Sequence, residues 1–157
     1  MATFVGLAQG TLPWRDPKSQ AMVKKPLYDN LTFYRVVPGR AIQSGSPTGS
    51  PAFDCGFTIK DEMLPGLTFG QSGRLAMANS NGEGTTNTGG CQFFITLGPV
   101  TSWNGNYSIF GQVVRGQDVL EKLGKVPVKG ELPANPPKLN SVKIMRVGPP
   151  PPVKTKK

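Results

Sequence analysis

The sequence predicts a mainly β, loop-rich protein with a single core, on three observations. Short apolar runs at residues 31–37, 74–79, 91–97, 107–114 and 139–147 have strand length, and several alternate in side-chain character with a period of two. Glycine (20) and proline (16) are abundant but fall between those runs rather than throughout, which suits a folded chain and not a disordered one. At 157 residues the chain can bury roughly two thirds of the surface its unfolded form exposes, enough for one domain.

Taken in order, residues 1–9 carry Phe4, Val5 and Leu7 in a helix-compatible run that Gly10 can stop. Residues 11–30 hold Pro13, Asp16-Pro17, Lys25-Pro26 and Asp29-Asn30, all turn chemistry, so an exposed loop is expected. Strands follow at 31–37 and 40–44, joined by a turn at Pro38-Gly39. Residues 46–73 form a long irregular segment that Phe53, Phe57 and Ile59 can pin to the body; a loop of that length is usually functional or capped by its own small core. The strand at 74–79 ends in Asn79 and leads into 80–90, almost devoid of apolar side chains. Residues 84–89 have the glycine spacing of a phosphate-binding loop, but Gly90-Cys91 stands where Lys-Ser/Thr is required, which removes that reading.

The run 91–97 is the most apolar strand. Cys91, Phe93, Ile95 and Leu97 share its core face, and Gln92, Phe94 and Thr96 the other. After a turn at 103–105 and a strand at 107–114, residues 116–125 read as a surface helix with Val119, Leu120 and Leu123 at helical spacing, acids early and lysines late. A last strand is expected at 139–147. The prolines from Pro149 to Pro152 then end regular structure, leaving 149–157 as a Pro/Lys-rich solvated tail.

Composition narrows the chemistry. The formal charge is +9, but three lysines lie in the last six residues, so the basicity is partly a property of the tail. Exposed aromatics are not interleaved with basic residues, and a nucleic-acid partner is not expected. No apolar run reaches the ~20 residues that span a bilayer, and no basic-then-apolar leader opens the chain; a cytoplasmic location without membrane association is expected. Cys55 and Cys91 lack partners at metal-ligand spacing and read as free buried thiols, with a disulfide as the alternative. Histidine is absent altogether, which removes His-based triads, His general bases and most zinc sites.

The candidate site begins at 31–37. Strand alternation puts Phe33, Arg35 and Val37 on one face and Tyr34 and Val36 on the other. Pattern alone leaves Arg35 either laid over Phe33 by its methylene stem or engaged in hydrogen bonding. Gln43, one strand along, favours the second: two long polar groups of fixed geometry converge on something bound at the sheet surface. Gln92 beside Phe94 repeats that polar-plus-aromatic surface.

The segments from Phe33 to Gly39, Ile42-Gln43, Met77 to Asn79, Cys91 to Thr96, Trp103, and Ile109 to Val114 resemble, in order and nearly in spacing, the signature segments of the cyclophilins, the peptidyl-prolyl cis-trans isomerases. The resemblance runs from about residue 3 to residue 147. It implies a cyclophilin-like antiparallel β-barrel with capping helices over residues 1–148, an active groove on its outer face, proline-containing polypeptides as partners and no cofactor. Arg35 resembles the catalytic arginine and Gln43 the glutamine that orients it. Ala78, Asn79 and Gln92 resemble the segment that binds substrate backbone, Phe94 the ring of the proline pocket, and Trp103 the groove tryptophan; Tyr107 falls where many members carry histidine.

Departures accompany the likeness. Arg40 and Ala41 stand where phenylalanine and methionine are usual, and Asn104 follows the tryptophan where leucine is usual, so the proline pocket loses apolar wall. Reduced affinity for cyclosporin-type ligands follows, as does an alternative function: a module that binds proline-containing segments with little turnover. The loop between Asn79 and Gln92 is longer than is common. The family also begins with strands ahead of the segment matched by residues 4–7, the first of which pairs with the last strand. The fold is therefore expected to be incomplete at the N-terminus, with 139–147 as an open edge prone to self-association.

Overall fold

The computed structural model describes residues 1–80 and 84–149. The tail expected at 149–157 thus lies, apart from Pro149, outside the described residues. Helix α1 (Ala2–Gln9) ends at Gly10, whose φ of 72° is left-handed and whose N–H donates back to the carbonyls of Gly6 and Leu7. A Cβ at Gly10 would sit 2.6 Å from the nitrogen of Pro26, so glycine is required there by both conformation and space. Where an exposed loop is expected, strands β1 (Trp14–Arg15) and β2 (Met22–Val23) pair as a small hairpin. Its turn is held by Asp16, whose carboxylate accepts from the backbone N–H groups of Lys18 and Ser19.

The run 31–37 is not one strand. It divides into β3 (Leu31–Thr32) and β4 (Arg35–Val37), and the interruption at Phe33-Tyr34 breaks the strict alternation. Phe33 therefore joins Val36 in a buried cluster, while the Tyr34 side chain comes to the same side as Arg35. Next come β5 (Ala41–Ser44), β6 (Arg74–Met77), β7 (Phe93–Thr96), a 3₁₀ turn at Thr101–Trp103, and β8 (Ile109–Gln112). Helix α2 (Gln117–Gly124) and strands β9 (Val128–Lys129), β10 (Leu132–Pro133) and β11 (Lys138–Leu139) complete the described elements.

Among the described residues the fold is mainly β, with two α-helices, and the strand pairing is antiparallel throughout. A central sheet runs β4-β5-β7-β6-β8, and β1-β2, β9-β10 and β3-β11 form two-stranded ladders. Among the described residues no ladder closes on itself. Both faces of the central sheet are covered, which is why β5 is buried at every position. Met77 and Phe93 pack with Leu7, Tyr28 and Trp14 on one face; their sequence neighbours Ala76 and Phe94 point the other way, into a cluster with Phe69, Val100 and Ile109. A third cluster joins Phe33, Val36 and Ile42 to Leu120 of α2. Of the apolar stripe read on α2, Leu120 is buried and Leu123 partly so, but Val119 faces solvent at 52% exposure.

The last expected strand is also revised. Only Lys138–Leu139 pairs, against Thr32 and Leu31, and the Asn30 N–H donates to the Asn140 carbonyl. Residues 141–147 carry no ladder among the described residues, although Val142 and Ile144 lean on the first core cluster while Met145 and Val147 are 87% and 96% exposed. Alternation marks a side chain's face, but a strand also needs a neighbour to receive its backbone hydrogen bonds. No helix among the described residues is long and apolar enough to cross a membrane.

Candidate active site

Register builds the site. Across the central sheet, Arg35 pairs with Gln43, Gln43 with Phe94, Phe94 with Ala76, and Ala76 with Ile109. Paired residues on neighbouring strands project to the same face. Arg35, Gln43 and Phe94, separate in sequence, thereby form one row whose polar end grades into an aromatic end. The row lies in a groove of about 780 Å³ that all nine candidate residues line: Arg35, Ala41, Gln43, Ala78, Asn79, Gln92, Phe94, Trp103 and Tyr107.

At the polar end, hydrogen bonds fix the direction of every amide. Arg35 Nη1 donates to Gln43 Oε1 at 3.1 Å, which turns Gln43 Nε2 toward the Tyr34 hydroxyl at 2.7 Å and Gln92 Oε1 at 3.2 Å. The Tyr34 hydroxyl donates to Gln92 Oε1 in its turn. Gln92 Nε2 then points to the carbonyls of Pro51 at 3.0 Å and Phe53 at 3.2 Å, tying the irregular 46–73 segment to the sheet. Burial pushes the Tyr34 phenol well above its ordinary pKa of 10.0, against the opposing effects of the Gln43 hydrogen bond and the Arg35 charge, so the hydroxyl stays a donor. The Arg35 Nε donates to Glu131 Oε2. Two partners on different elements thus hold the guanidinium plane by Nε and Nη1, and Nη2 is the nitrogen neither bond uses.

The aromatic end is filled by a residue the sequence pattern did not single out. Phe69, in the irregular segment, is fully buried and stacks on Phe94 with centroids 5.9 Å apart. Trp103 and Tyr107 meet the Phe94 ring edge-on at 5.3 and 5.0 Å. Asn104 has a task of its own: its Oδ1 accepts from the Phe69 N–H at 2.8 Å, while the Phe69 carbonyl accepts from the Val100 N–H. The turn bearing Trp103 and the backbone of Phe69 are therefore one unit. Arg40, exposed, lays its guanidinium 4.8 Å from the centre of the Trp103 ring, so a cation replaces apolar wall there. Beside the row, Ala78 N–H donates to the Gln92 carbonyl, and Asn79 Nδ2 donates to the Asn106 carbonyl at 2.9 Å, which fixes the Asn79 side chain.

Glu131, Tyr34 and Phe69 are site residues that local pattern does not reveal. Glu131 sits 96 positions from Arg35 in a segment without periodic pattern; alternation puts Tyr34 on the opposite face, and the chain breaks that alternation; Phe69 lies among glycines and turn residues.

The chain matches the family model "Cyclophilin type peptidyl-prolyl cis-trans isomerase/CLD" over residues 3–148. Among its relatives, peptidyl-prolyl cis-trans isomerase A of Mycobacterium tuberculosis is 39% identical over 147 residues, 92% of this chain and 79% of the relative. Peptidyl-prolyl cis-trans isomerase B of Streptomyces anulatus is 38% identical over 126 residues, 79% of this chain and 70% of the relative. A solved structure of a cyclophilin type peptidyl-prolyl cis-trans isomerase from Cryptosporidium parvum, in the presence of the dipeptide Ala-Pro, superposes with a TM-score of 0.69 at 31% identity, covering 77% of this chain and 78% of that one.

Proposed function

The chain belongs to the cyclophilin-type peptidyl-prolyl cis-trans isomerase family, and from that premise we propose that it turns over Xaa-Pro bonds in the groove described above, with Arg35 as the catalytic residue. Rotation about such a bond faces a barrier of about 18–20 kcal/mol, because amide resonance must be broken. No covalent bond is made and no proton need move. What accelerates the reaction is a surface that binds the twisted amide better than either planar isomer. In the twisted state the proline nitrogen becomes pyramidal and exposes a lone pair, which a preorganised, permanently charged guanidinium can meet with a hydrogen bond.

The observation that carries this reading is the single cross-strand row, in which Arg35, oriented by Gln43 and Glu131, stands two strands from the ring of Phe94. Phe94, with Trp103, Tyr107 and Ala41, would hold the proline ring, while Ala78, Asn79 and Gln92 line the path of the flanking backbone. Residues 1–148 form the isomerase domain on this reading, with 149–157 as an extension beyond it; the family match over 3–148 supports the division.

NMR exchange spectroscopy on a proline-containing tetrapeptide tests the proposal. Catalysed cis-trans exchange is expected, with inhibition by cyclosporin weaker than for a family member that carries phenylalanine and methionine at the positions of Arg40 and Ala41. Peptide binding without enhanced exchange would instead favour a module that captures proline segments, the reading that the polar Arg40 wall supports.

A second partner of this chain would be another copy of itself. Residues 141–147 alternate in strand fashion but join no ladder among the described residues, with Val142 and Ile144 already packed on the core, and backbone of that kind can add to the strand of another chain. Sedimentation velocity across a concentration series should show a dimer growing with concentration. A single monomeric species throughout would remove this proposal.

A further inference from the structure

Cys55 and Cys91 lie 36 positions apart in sequence but side by side in the structure, and the isomerase reaction uses neither. Both are free and almost completely buried, at 3% and 1% exposure, yet both contribute to the wall of the substrate groove. The Cys55 thiol donates to the Phe57 carbonyl at 3.8 Å, on chain that runs directly against Gly90, the neighbour of Cys91. The approach is built into the backbone: a Cβ at Gly90 would lie 2.7 Å from Cys55 Sγ, so the absence of a side chain beside Cys91 is what lets the Cys55 sulfur reach the chain entering β7. Cys91 is anchored from the other side, its carbonyl accepting from the buried Tyr28 hydroxyl at 2.8 Å.

We propose that Cys55 and Cys91 are a peroxide-responsive thiol pair that closes a disulfide in the groove wall and clamps the 51–57 segment to the chain entering β7. Both the position of the pair and its chemistry support this. The segment already leans on the chain entering β7 through Gln92, whose Nε2 holds the carbonyls of Pro51 and Phe53, so the new bond would reinforce an existing contact rather than pull distant parts together. The two thiols are not equivalent. The hydrogen bond from Cys91 holds the Cys55 pKa below its ordinary value, while that same hydrogen bond, and burial after it, push the pKa of Cys91 up.

Cys55 is accordingly the sulfur that meets the oxidant. Its thiolate attacks one oxygen of hydrogen peroxide, the O–O bond breaks, and the departing hydroxide takes a proton to leave as water, so that Cys55 becomes a sulfenic acid. Cys91 Sγ then attacks the Cys55 sulfur and gives up its proton; the S–O bond breaks and a second water leaves. Two thiols are oxidised by two electrons and one peroxide is reduced to two waters.

The crosslink is read independently of whether the groove isomerises proline, so failure here and failure of the catalytic reading are distinguishable. The native chain is treated with equimolar hydrogen peroxide, then unfolded, alkylated and mapped by mass spectrometry. Expected are loss of two hydrogens from the intact mass, a Cys55–Cys91 linked peptide, reversal by a thiol reductant, and a rise in Tm of roughly 5–15 °C for a bond closing a loop of this length. In Cys91→Ser the sulfenic acid should persist on Cys55 and be trapped by dimedone. The proposal is overturned if the native chain gains oxygen without a linked peptide, forms only intermolecular disulfides, or keeps both thiols reduced under conditions that crosslink the unfolded chain. The wild-type measurement decides even if the serine variant does not fold.

Discussion

Arg35→Ala is expected to lower kcat/KM for a prolyl peptide by on the order of 10²–10³ while leaving the fold and its unfolding transition nearly unchanged. The magnitude follows from removing a single preorganised donor aimed at charge that develops only in the transition state. Because the planar substrate does not present that lone pair, the loss should fall on kcat more than on KM. Stability should change little: the Arg35 side chain is 42% exposed, and its ion pair with Glu131 is half-exposed, a class of interaction contributing about 0.2–1 kcal/mol. The measurement is peptide exchange alongside thermal unfolding. If Arg35→Ala kept most of the parent kcat/KM, the arginine would be a structural strut between Gln43 and Glu131, and the proposed chemistry would be wrong.

Phe69→Ala is expected to have the largest effect on stability, about 3–5 kcal/mol, seen as a Tm lowered by roughly 6–20 °C. The ring is fully buried between Phe94, Trp103 and Tyr107, so its deletion leaves a cavity behind the row rather than a surface that solvent can fill. Function should follow packing. Without the stacked partner the Phe94 ring is free to sink into the vacated space, so KM for proline peptides should rise. Phe69→Leu, which keeps most of the volume, should restore the greater part of both stability and KM. Equal losses in the two variants would show that the ring's edge contacts, not the space it fills, hold the pocket. A Tm within 2 °C of wild type for Phe69→Ala would show that the cluster is not packed as described.

The class of fold, the positions of the central strands and of α2, and the polar pairing at the heart of the site are legible in the amino-acid order. Those are properties written in local periodicity and turn chemistry: β5, β6, β7 and α2 each fall inside the runs that their alternation or helical spacing marks, and Arg35, Gln43 and Phe94 announce themselves as a cation, an amide and a ring on strands. Local pattern also misleads where the chain departs from regular geometry. The break at Phe33-Tyr34 changes which side chains face the groove, and 141–147 alternates without a ladder to make it a strand. Four features come from long-range packing instead: the register that aligns Arg35, Gln43 and Phe94 in one row, the reach of Glu131 to Arg35 across 96 positions, the insertion of Phe69 behind the pocket, and the meeting of Cys55 with Cys91. The physical reason is common to all four. Periodicity reports which side of its own element a residue occupies, whereas cross-strand neighbours are chosen by backbone ladders and by the close packing of residues distant in the chain.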